Sequence, residues 1–239
     1  MPNTPIILFG ATGRMGRAIR ASLAEFPDTA LVACVARSAD DVACPPGCAW
    51  MKPGDLASAA FPKEAVVIDV SLAAGTAALL GWLEHSPRPL VGASTGLSET
   101  DEGRIRALAA RTAVLRARNL SAGNSIASGM LLSVPDPAKA LFEIDLIEHH
   151  HAAKRDAPSG TALAWASLLK PSEVRVHSIR SGTAVGTHRV LFAGAGETLE
   201  VVHTVQDRAV FARGALRAAV FLRGKRPGLY TVEQMLGGP

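Results

Sequence analysis

Pro5-Ile6-Ile7-Leu8-Phe9, followed by Gly10-Ala11-Thr12-Gly13-Arg14-Met15-Gly16, decides how this chain folds. A short apolar run leads into a turn with glycine at every third position. Met15, Ile19 and Leu23 then recur with helical spacing, so the pattern reads as strand, tight turn and a helix over Arg17 to Phe26. Glycines let the backbone turn sharply and approach a pyrophosphate, whose charge is met by N–H groups at the helix N-terminus. The spacing is G-x-x-G-x-x-G, not the commoner G-x-G-x-x-G, and an ordinary tight turn has the same composition. Its place directly behind a strand and ahead of a helix favours a dinucleotide, with Gly10, Ala11, Thr12, Gly13, Arg14, Met15 and Gly16 as the cofactor loop.

Working outward, Ala30 to Val35 reads as a second strand, ending at Ala36-Arg37-Ser38. An NAD-selective site usually places an acid here for the ribose hydroxyls, whereas an arginine pairs with a 2′-phosphate. With Arg37 present and the acid missing, the expected cofactor is NADPH, with NADH the other option. Residues 39–64 read as loop and short helix. Ala65 to Ser71 is a continuous apolar run of the kind that buried parallel strands show, Gly75 to Glu84 is helical, and Pro89 to Gly92 is another short strand. Glu99 to Arg111 reads as a charged helix and Ala113 to Ala117 as a further strand. This alternation predicts an α/β fold, with a Rossmann-like doubly wound parallel sheet at the N-terminus. In such a sheet the loops at the C-terminal ends of the strands line the cofactor crevice. Val70-Ser71 and Ser94-Thr95-Gly96 are therefore expected beside a nicotinamide.

Past Asn119 the rhythm changes. After a helix at Ile126 to Ser133 come four strand-like segments, Phe142 to Ile147, Glu173 to Ile179, Thr187 to Ala193 and Thr198 to Val205. One helix, Thr161 to Leu169, separates the first two. Strands in succession with short turns predict an α+β domain with an open mixed or mostly antiparallel sheet. The expected domains are 1–119 for the dinucleotide, 120–207 for substrate and oligomerisation, and a segment 208–239, with helical Phe211 to Leu222, returning to the first.

Composition narrows the function. Hydrophobic residues make up 48% and charged residues 19% of 239, which fits a compact protein with a sizeable core. No apolar stretch reaches the length of about 18 to 20 residues that spans a bilayer, and Met1-Pro2-Asn3-Thr4 lacks a basic n-region with an h-region behind it, so a cytoplasmic protein without a membrane partner is expected. The net charge of +4 comes from scattered arginines without interleaved aromatics. That fits an acidic small molecule or a solvated basic face better than nucleic acid. Cys34, Cys44 and Cys48 read as reduced, incidental thiols, with no metal, because further ligands are not near them in sequence.

The densest chemistry lies in Glu148-His149-His150-His151-Ala152-Ala153-Lys154-Arg155-Asp156-Ala157-Pro158-Ser159-Gly160-Thr161-Ala162. Three adjacent histidines alternate on a strand and fan out on a helix, so they do not converge on one metal. His150 and Lys154, four apart, can meet one substrate. The ammonium lowers the imidazole's proton affinity and a bound carboxylate raises it, which makes a proton donor near neutral pH. Ser159 reads as an N-cap, and the N–H groups of Gly160 and Thr161 with the Thr161 hydroxyl suit an anion. A plain cap, with Asp156 and Pro158 shaping the turn, is the structural alternative.

This stretch resembles the signature of the 4-hydroxy-tetrahydrodipicolinate reductase (dihydrodipicolinate reductase) family of lysine biosynthesis. Gly10 to Gly16 is similar to that family's cofactor loop. Ser178 to Gly182 and Val185 to His188 are similar to its substrate-domain strands, and Phe211 to Ala215 and Gly224 to Tyr230 to its C-terminal helix and tail. The resemblance implies hydride transfer from NAD(P)H to a cyclic imine dicarboxylate in the diaminopimelate route. It makes His150 the proton donor and Lys154 its companion, with His151, Gly160 and Thr161 on the substrate's carboxylates. It places Arg37 near the adenosine ribose and Ser71, Ser94, Thr95, Gly96 and Asn119 among the cofactor-binding residues. It also implies a homotetramer joined through the sheets of the second domain. The family's G-T-T-G loop stands here as Ala93-Ser94-Thr95-Gly96, its F-T pair as Val70-Ser71, and the last asparagine of its N-F-S-x-G-x-N segment as Ser125. A reductase of another cyclic imine or keto acid, or a non-enzymatic NADP-binding sensor, would carry the same features.

Overall fold

The computed structural model describes residues 3–39 and 44–238. In chain order its elements are β1 (Thr4–Phe9), α1 (Arg14–Ser22), β2 (Thr29–Val35), β3 (Ala49–Met51), β4 (Val66–Asp69), α2 (Ala73–His85), β5 (Leu90–Gly92), α3 (Glu99–Ala109) and β6 (Ala113–Arg116). There follow α4 (Ala122–Ser133), α5 (Asp136–Lys139), β7 (Glu143–His150), α6 (Gly160–Leu168), β8 (Val174–Arg180), β9 (Gly186–Gly194) and β10 (Glu197–Val205). The chain ends with α7 (Ala209–Leu222), β11 (Gly228–Tyr230) and α8 (Val232–Met235). It divides into two compact units, Met1–Leu120 with Ala209–Pro239, and Ser121–Arg208.

The first unit is built on a seven-stranded sheet of order β11-β6-β5-β4-β1-β2-β3 in which every pairing is parallel. The order reverses between β1 and β4, which makes that junction the topological switch point of a doubly wound fold. The near-continuous apolar strands follow from burial on both faces. In β1, Ile6 and Leu8 join one core with Ile19 of α1 and Ala215, Leu216 and Ala219 of α7. Ile7 and Phe9 join the other with Leu79, Leu80 and Leu83 of α2 and Ile105 of α3. The returning C-terminal segment contributes both a helix and a seventh strand.

Several boundaries differ from the sequence reading. Helix α1 starts at Arg14 rather than Arg17, because the backbone is already helical where the glycine turn ends, and it closes in a 3-10 turn over Leu23–Glu25. Strands β3 and β11 were not anticipated. Each is three residues long, too short for a periodic signal. Part of the 39–64 segment, residues 40–43, lies outside the described residues.

The second unit is a four-stranded mixed sheet of order β10-β9-β7-β8, with β7 parallel to β8 and the other pairs antiparallel. One face carries Ile144, Leu146, Val190 and Phe192, packed against Ala127 and Leu131 of α4 and Ala162 and Trp165 of α6. Strand β7 runs three residues past the expected Ile147, to His150. That extension fixes the orientation of the first two histidines by strand parity.

Candidate active site

In the first unit the cradle is made of backbone. Gly10 has φ +89°, and its N–H and that of Ala11 donate to the Val35 carbonyl at 2.9 and 3.2 Å. A Cβ on Gly16 would sit 2.3 Å from the Gly10 oxygen and one on Gly10 2.9 Å from the Ser71 nitrogen, so both glycines are steric requirements. Helix α1 has Gly13 at its N-cap, no side-chain cap and no acid in its first turn. An N-terminus of this kind, at a switch point and closely approached by glycine backbone, fits a dinucleotide pyrophosphate. Arg14, Met15 and Gly16 belong to that first turn rather than to the loop. Arg37 is exposed two residues past β2.

Asp69, which the sequence reading passed over, ends β4 fully buried. Its Oδ1 accepts the Ser71 N–H at 3.0 Å and the Ser71 hydroxyl at 2.6 Å; its Oδ2 accepts the hydroxyls of Thr76 at 2.5 Å and Ser94 at 3.0 Å. One carboxylate thus joins the ends of β4 and β5, the two loops expected beside a nicotinamide. Thr95 and Gly96 are exposed beyond Ser94, and Asn119 is half-buried after β6.

The second unit places its chemistry on the same sheet face as its core. Glu148 pairs with Ser178 on one side and His188 on the other, and His188 pairs with His203. Ser178, Glu148, His188 and His203 therefore form one polar row across all four strands, beside the aliphatic rows of Ile144 and Leu146. Two residues on, His150 shares the Glu148 face, while His149 turns to the opposite face and bonds the Ser181 hydroxyl at 2.9 Å.

Glu148 is completely buried and each oxygen has a partner. Oε2 accepts from Nδ1 of His150; Oε1 accepts from Arg180 at 2.5 Å and from the Ser159 N–H at 3.3 Å. Arg180 also donates to the Asp156 carbonyl at 2.6 Å, tying β8 to the loop ahead of α6. Burial alone would push the Glu148 carboxyl up, but hydrogen bonds from Arg180, Ser178 and His150 more than offset it and hold the group at about 2. Burial pushes the His150 imidazole down; Glu148 opposes this, Lys154 and Arg180 reinforce it, and the net position is below the ordinary histidine value. His188, its ring centroid 5.2 Å from that of His150, is pushed down to about 4 by burial and by the neighbouring imidazole. A Cβ on Gly186 would lie 2.9 Å from Nε2 of His150, so glycine there leaves room for that nitrogen. The atoms of Glu148, His150 and His188 come close enough to suggest a metal. The carboxylate oxygens, however, are already taken by Arg180, Ser159 and His150, and the adjacent guanidinium opposes a second cation.

Ser159 is the N-cap of α6, its Oγ accepting from Ala162 N–H at 3.2 Å and bonding His188 Nε2 at 3.0 Å. Gly160 and Thr161 occupy the first turn, which has no acid. Lys154 is held by both oxygens of Asp156 at 2.7 and 2.8 Å, in a turn closed by its own N–H on the His151 carbonyl. His151 is half-buried, its N–H on the Ala184 carbonyl at 2.8 Å. His150, Lys154, His151, Gly160 and Thr161 are thus carried by one strand end, one loop and one helix start. Sequence reasoning missed Arg180 and His188 as supports. Their signal was the alternation of β8 and β9, which needs the register of the sheet to be read.

The family model described as dihydrodipicolinate reductase, N-terminus, matches residues 4–120, and that for the C-terminus matches residues 128–236. The chain is 37% identical over 243 residues to a 4-hydroxy-tetrahydrodipicolinate reductase of Stenotrophomonas maltophilia (strain K279a), covering 99% of this chain and all of the relative. It is 33% identical over 254 residues to the enzyme of that name from Caldanaerobacter subterraneus subsp. tengcongensis, covering 97% of each. A dipicolinate-bound dihydrodipicolinate reductase from Paenisporosarcina sp. TG-14 has the same fold, with a TM-score of 0.78 at 19% identity over 96% of this chain and 97% of that one.

Proposed function

The chain belongs to the dihydrodipicolinate reductase family, and on that premise we propose that it reduces 4-hydroxy-tetrahydrodipicolinate to tetrahydrodipicolinate in diaminopimelate and lysine biosynthesis, with His150 as the proton donor. The observation that carries the assignment is the buried Glu148–His150 pair, two positions apart at the end of β7 and directly ahead of the loop and helix start that bear Lys154, Gly160 and Thr161. The reduced nicotinamide, when bound, supplies the hydride. Gly10 to Gly16 hold its pyrophosphate, and Ser71, Ser94, Thr95, Gly96 and Asn119 line the cofactor's remaining length.

The second unit holds the dicarboxylate and delivers the proton. Lys154, His151, Thr161 and the Gly160 N–H grip the carboxylates, whose charge raises the proton affinity of His150 and loads it as the imidazolium. Glu148 keeps the Nδ1 proton in place, so the proton that leaves is the one on Nε2, beside Gly186. After transfer His150 remains a neutral Nδ1–H tautomer on a carboxylate that never has to titrate near neutral pH. Arg180 keeps that carboxylate ionised and also fixes the loop ahead of α6.

NADPH is the preferred cofactor in this reading, through Arg37 on the 2′-phosphate, and the working state is a cytoplasmic homotetramer joined through the second unit's sheet. The face of that sheet turned away from α4 and α6 carries Ile147, Ile179, Leu191 and Val202, with Ile179 and Val202 exposed, which supports such a contact.

Purified protein given NADPH and synthase-generated substrate should oxidise the cofactor, and no oxidation above background would overturn the assignment. His150→Gln should lower kcat by about 10²- to 10⁴-fold with little change in KM, whereas Lys154→Ala should damage both. An unchanged kcat in His150→Gln removes it as the donor.

A further inference from the structure

The three cysteines that read as incidental come together in the first unit, their sulfurs all within 4.8 Å of one another. Cys34 is fully buried in β2, and Cys48 immediately precedes β3; the parallel register pairs Cys34 with Trp50 and so draws the start of β3 to the buried thiol. Cys44 is brought back by a tight turn. The Cys48 N–H donates to the Pro45 carbonyl at 3.0 Å, with Pro46 and Gly47, φ +81°, at the central positions that a type II turn assigns to these two residues. The turn thus carries half-buried thiols at its two ends beside the buried one.

We propose that Cys34, Cys44 and Cys48 form a three-thiolate site for one thiophilic d¹⁰ cation, Zn(II) or its soft congeners. At a metal–sulfur distance of about 2.3 Å the sulfurs of a tetrahedral or trigonal site stand about 3.8 to 4.0 Å apart. The Cys48–Cys34 separation is 3.7 Å, which already matches that edge. A disulfide would instead need two sulfurs to close to about 2.05 Å and would leave the third thiol unpartnered. Among the described residues no imidazole or carboxylate joins the group. Three thiolates around a dication leave one negative charge, and Arg20, whose guanidinium lies 5.1 Å from the Trp50 ring centroid, acts electrostatically on both Cys34 and Cys44 to favour it.

In the metal-free cluster Cys34 and Cys44 are held in the thiol form. The hydrogen bond with Cys48 and then burial push Cys34 strongly upward, and burial pushes Cys44 up to about 11. A thiophilic cation displaces those protons on binding, so affinity should rise with pH. Soft thiolate ligands select such ions over magnesium or calcium.

The test uses tag-free, reduced, desalted protein titrated with Cd(II) alone, in which only thiolate ligands give a sulfur-to-cadmium charge-transfer band. The expected result is a band that saturates at one equivalent, and its loss in the Cys44→Ser/Cys48→Ser double variant with far-UV circular dichroism and NADPH binding unchanged. Because both substituted positions are half-exposed, the variant should fold; Cys44→Ser alone gives a milder second check and should lower the apparent Cd(II) affinity. Absence of the band in the unmodified protein, its survival in the double variant, or a denatured thiol count of one rather than three would each overturn the site.

Discussion

Among the described residues each unit buries one carboxylate completely, Asp69 in the first and Glu148 in the second, and the two are satisfied by different means. Asp69 is met by neutral donors, an amide and three hydroxyls, two of them within seven residues in sequence. Glu148 recruits a guanidinium 32 residues away and an imidazole, with one distant backbone N–H. Neutral donors can fix loop ends without introducing a second charge. A cation is needed where the carboxylate must stay ionised beside an imidazole that, in the proposed reaction, gains and loses a proton. The first arrangement is a clamp, and the second is a clamp that also sets a protonation state.

That distinction breaks most sharply in Glu148→Gln. The amide presents a donor toward Nδ1 of His150, which would have to accept, so the tautomer that remains after proton transfer loses its support, and Arg180 is left beside a neutral group. Removing one partner of a buried charged pair costs on the order of 3 kcal/mol or more. The expected outcome is a kcat fall of about 10²-fold together with a lower urea midpoint for the second unit. A variant that keeps wild-type kcat would make Glu148 a purely structural acid, equivalent to Asp69.

Acid pH separates the units next. His188 titrates at about 4 in the folded chain against about 6.5 unfolded, so between these values the unfolded state binds more protons. Its contribution is complete above about pH 6.5 and is lost as pH falls toward 4, to the extent of about 3 kcal/mol. His150 and His203, also pushed down by burial, act in the same direction. Glu148, held at about 2 against an ordinary 4.5, adds a second loss below pH 4.5. Trp165 lies in the second unit, 5.5 Å from the His188 ring, whereas Trp50 and Trp82 lie in the first. Urea melts read by Trp165 fluorescence in a Trp50→Phe/Trp82→Phe background therefore follow one unit alone. Stability should drop between pH 6.5 and 4, and His188→Gln should flatten that interval. A flat profile in the parent would remove the buried-imidazole account.

Asp69→Asn is the milder counterpart. Its amide keeps one acceptor, and the hydroxyls of Ser71, Thr76 and Ser94 can turn to accept, so the loss should be about 1 to 2 kcal/mol in the first unit. The loops after β4 and β5 should loosen, raising KM for the dinucleotide several-fold while kcat changes less than in Glu148→Gln. Equal kcat losses in the two variants would erase the contrast between clamp and tuned acid.

The same contrast explains what could be read from the residues alone. The glycines at 10, 13 and 16 and the apolar runs of β1, β2 and β4 act locally, and they gave the first unit its fold and its cradle before any tertiary contact was known. His150, Lys154, Ser159 and Thr161 were legible because they sit within one stretch. Arg180 and His188 meet Glu148 only through the register of β7 with β8 and β9. A one-residue slip in either pairing would turn them to the other face, and no local pattern encodes that choice. The thiol cluster was hidden for the same reason, since it depends on β3, a three-residue strand without a periodic signal.

The smallest expected effect tests a cation outside a protein network. Arg180 is enclosed beside a buried acid, whereas Arg37 is exposed at the end of β2, and exposed ion pairs contribute little because water and salt screen them. If Arg37 meets the 2′-phosphate, Arg37→Ala should raise KM for NADPH by about three- to tenfold and leave KM for NADH unchanged, with the gap narrowing as salt is added. Steady-state rates with both cofactors on one substrate, at low and high ionic strength, measure this directly. Parallel shifts for NADPH and NADH would mean that Arg37 stabilises the loop rather than reading the phosphate, and cofactor choice would then rest on other residues of the cradle.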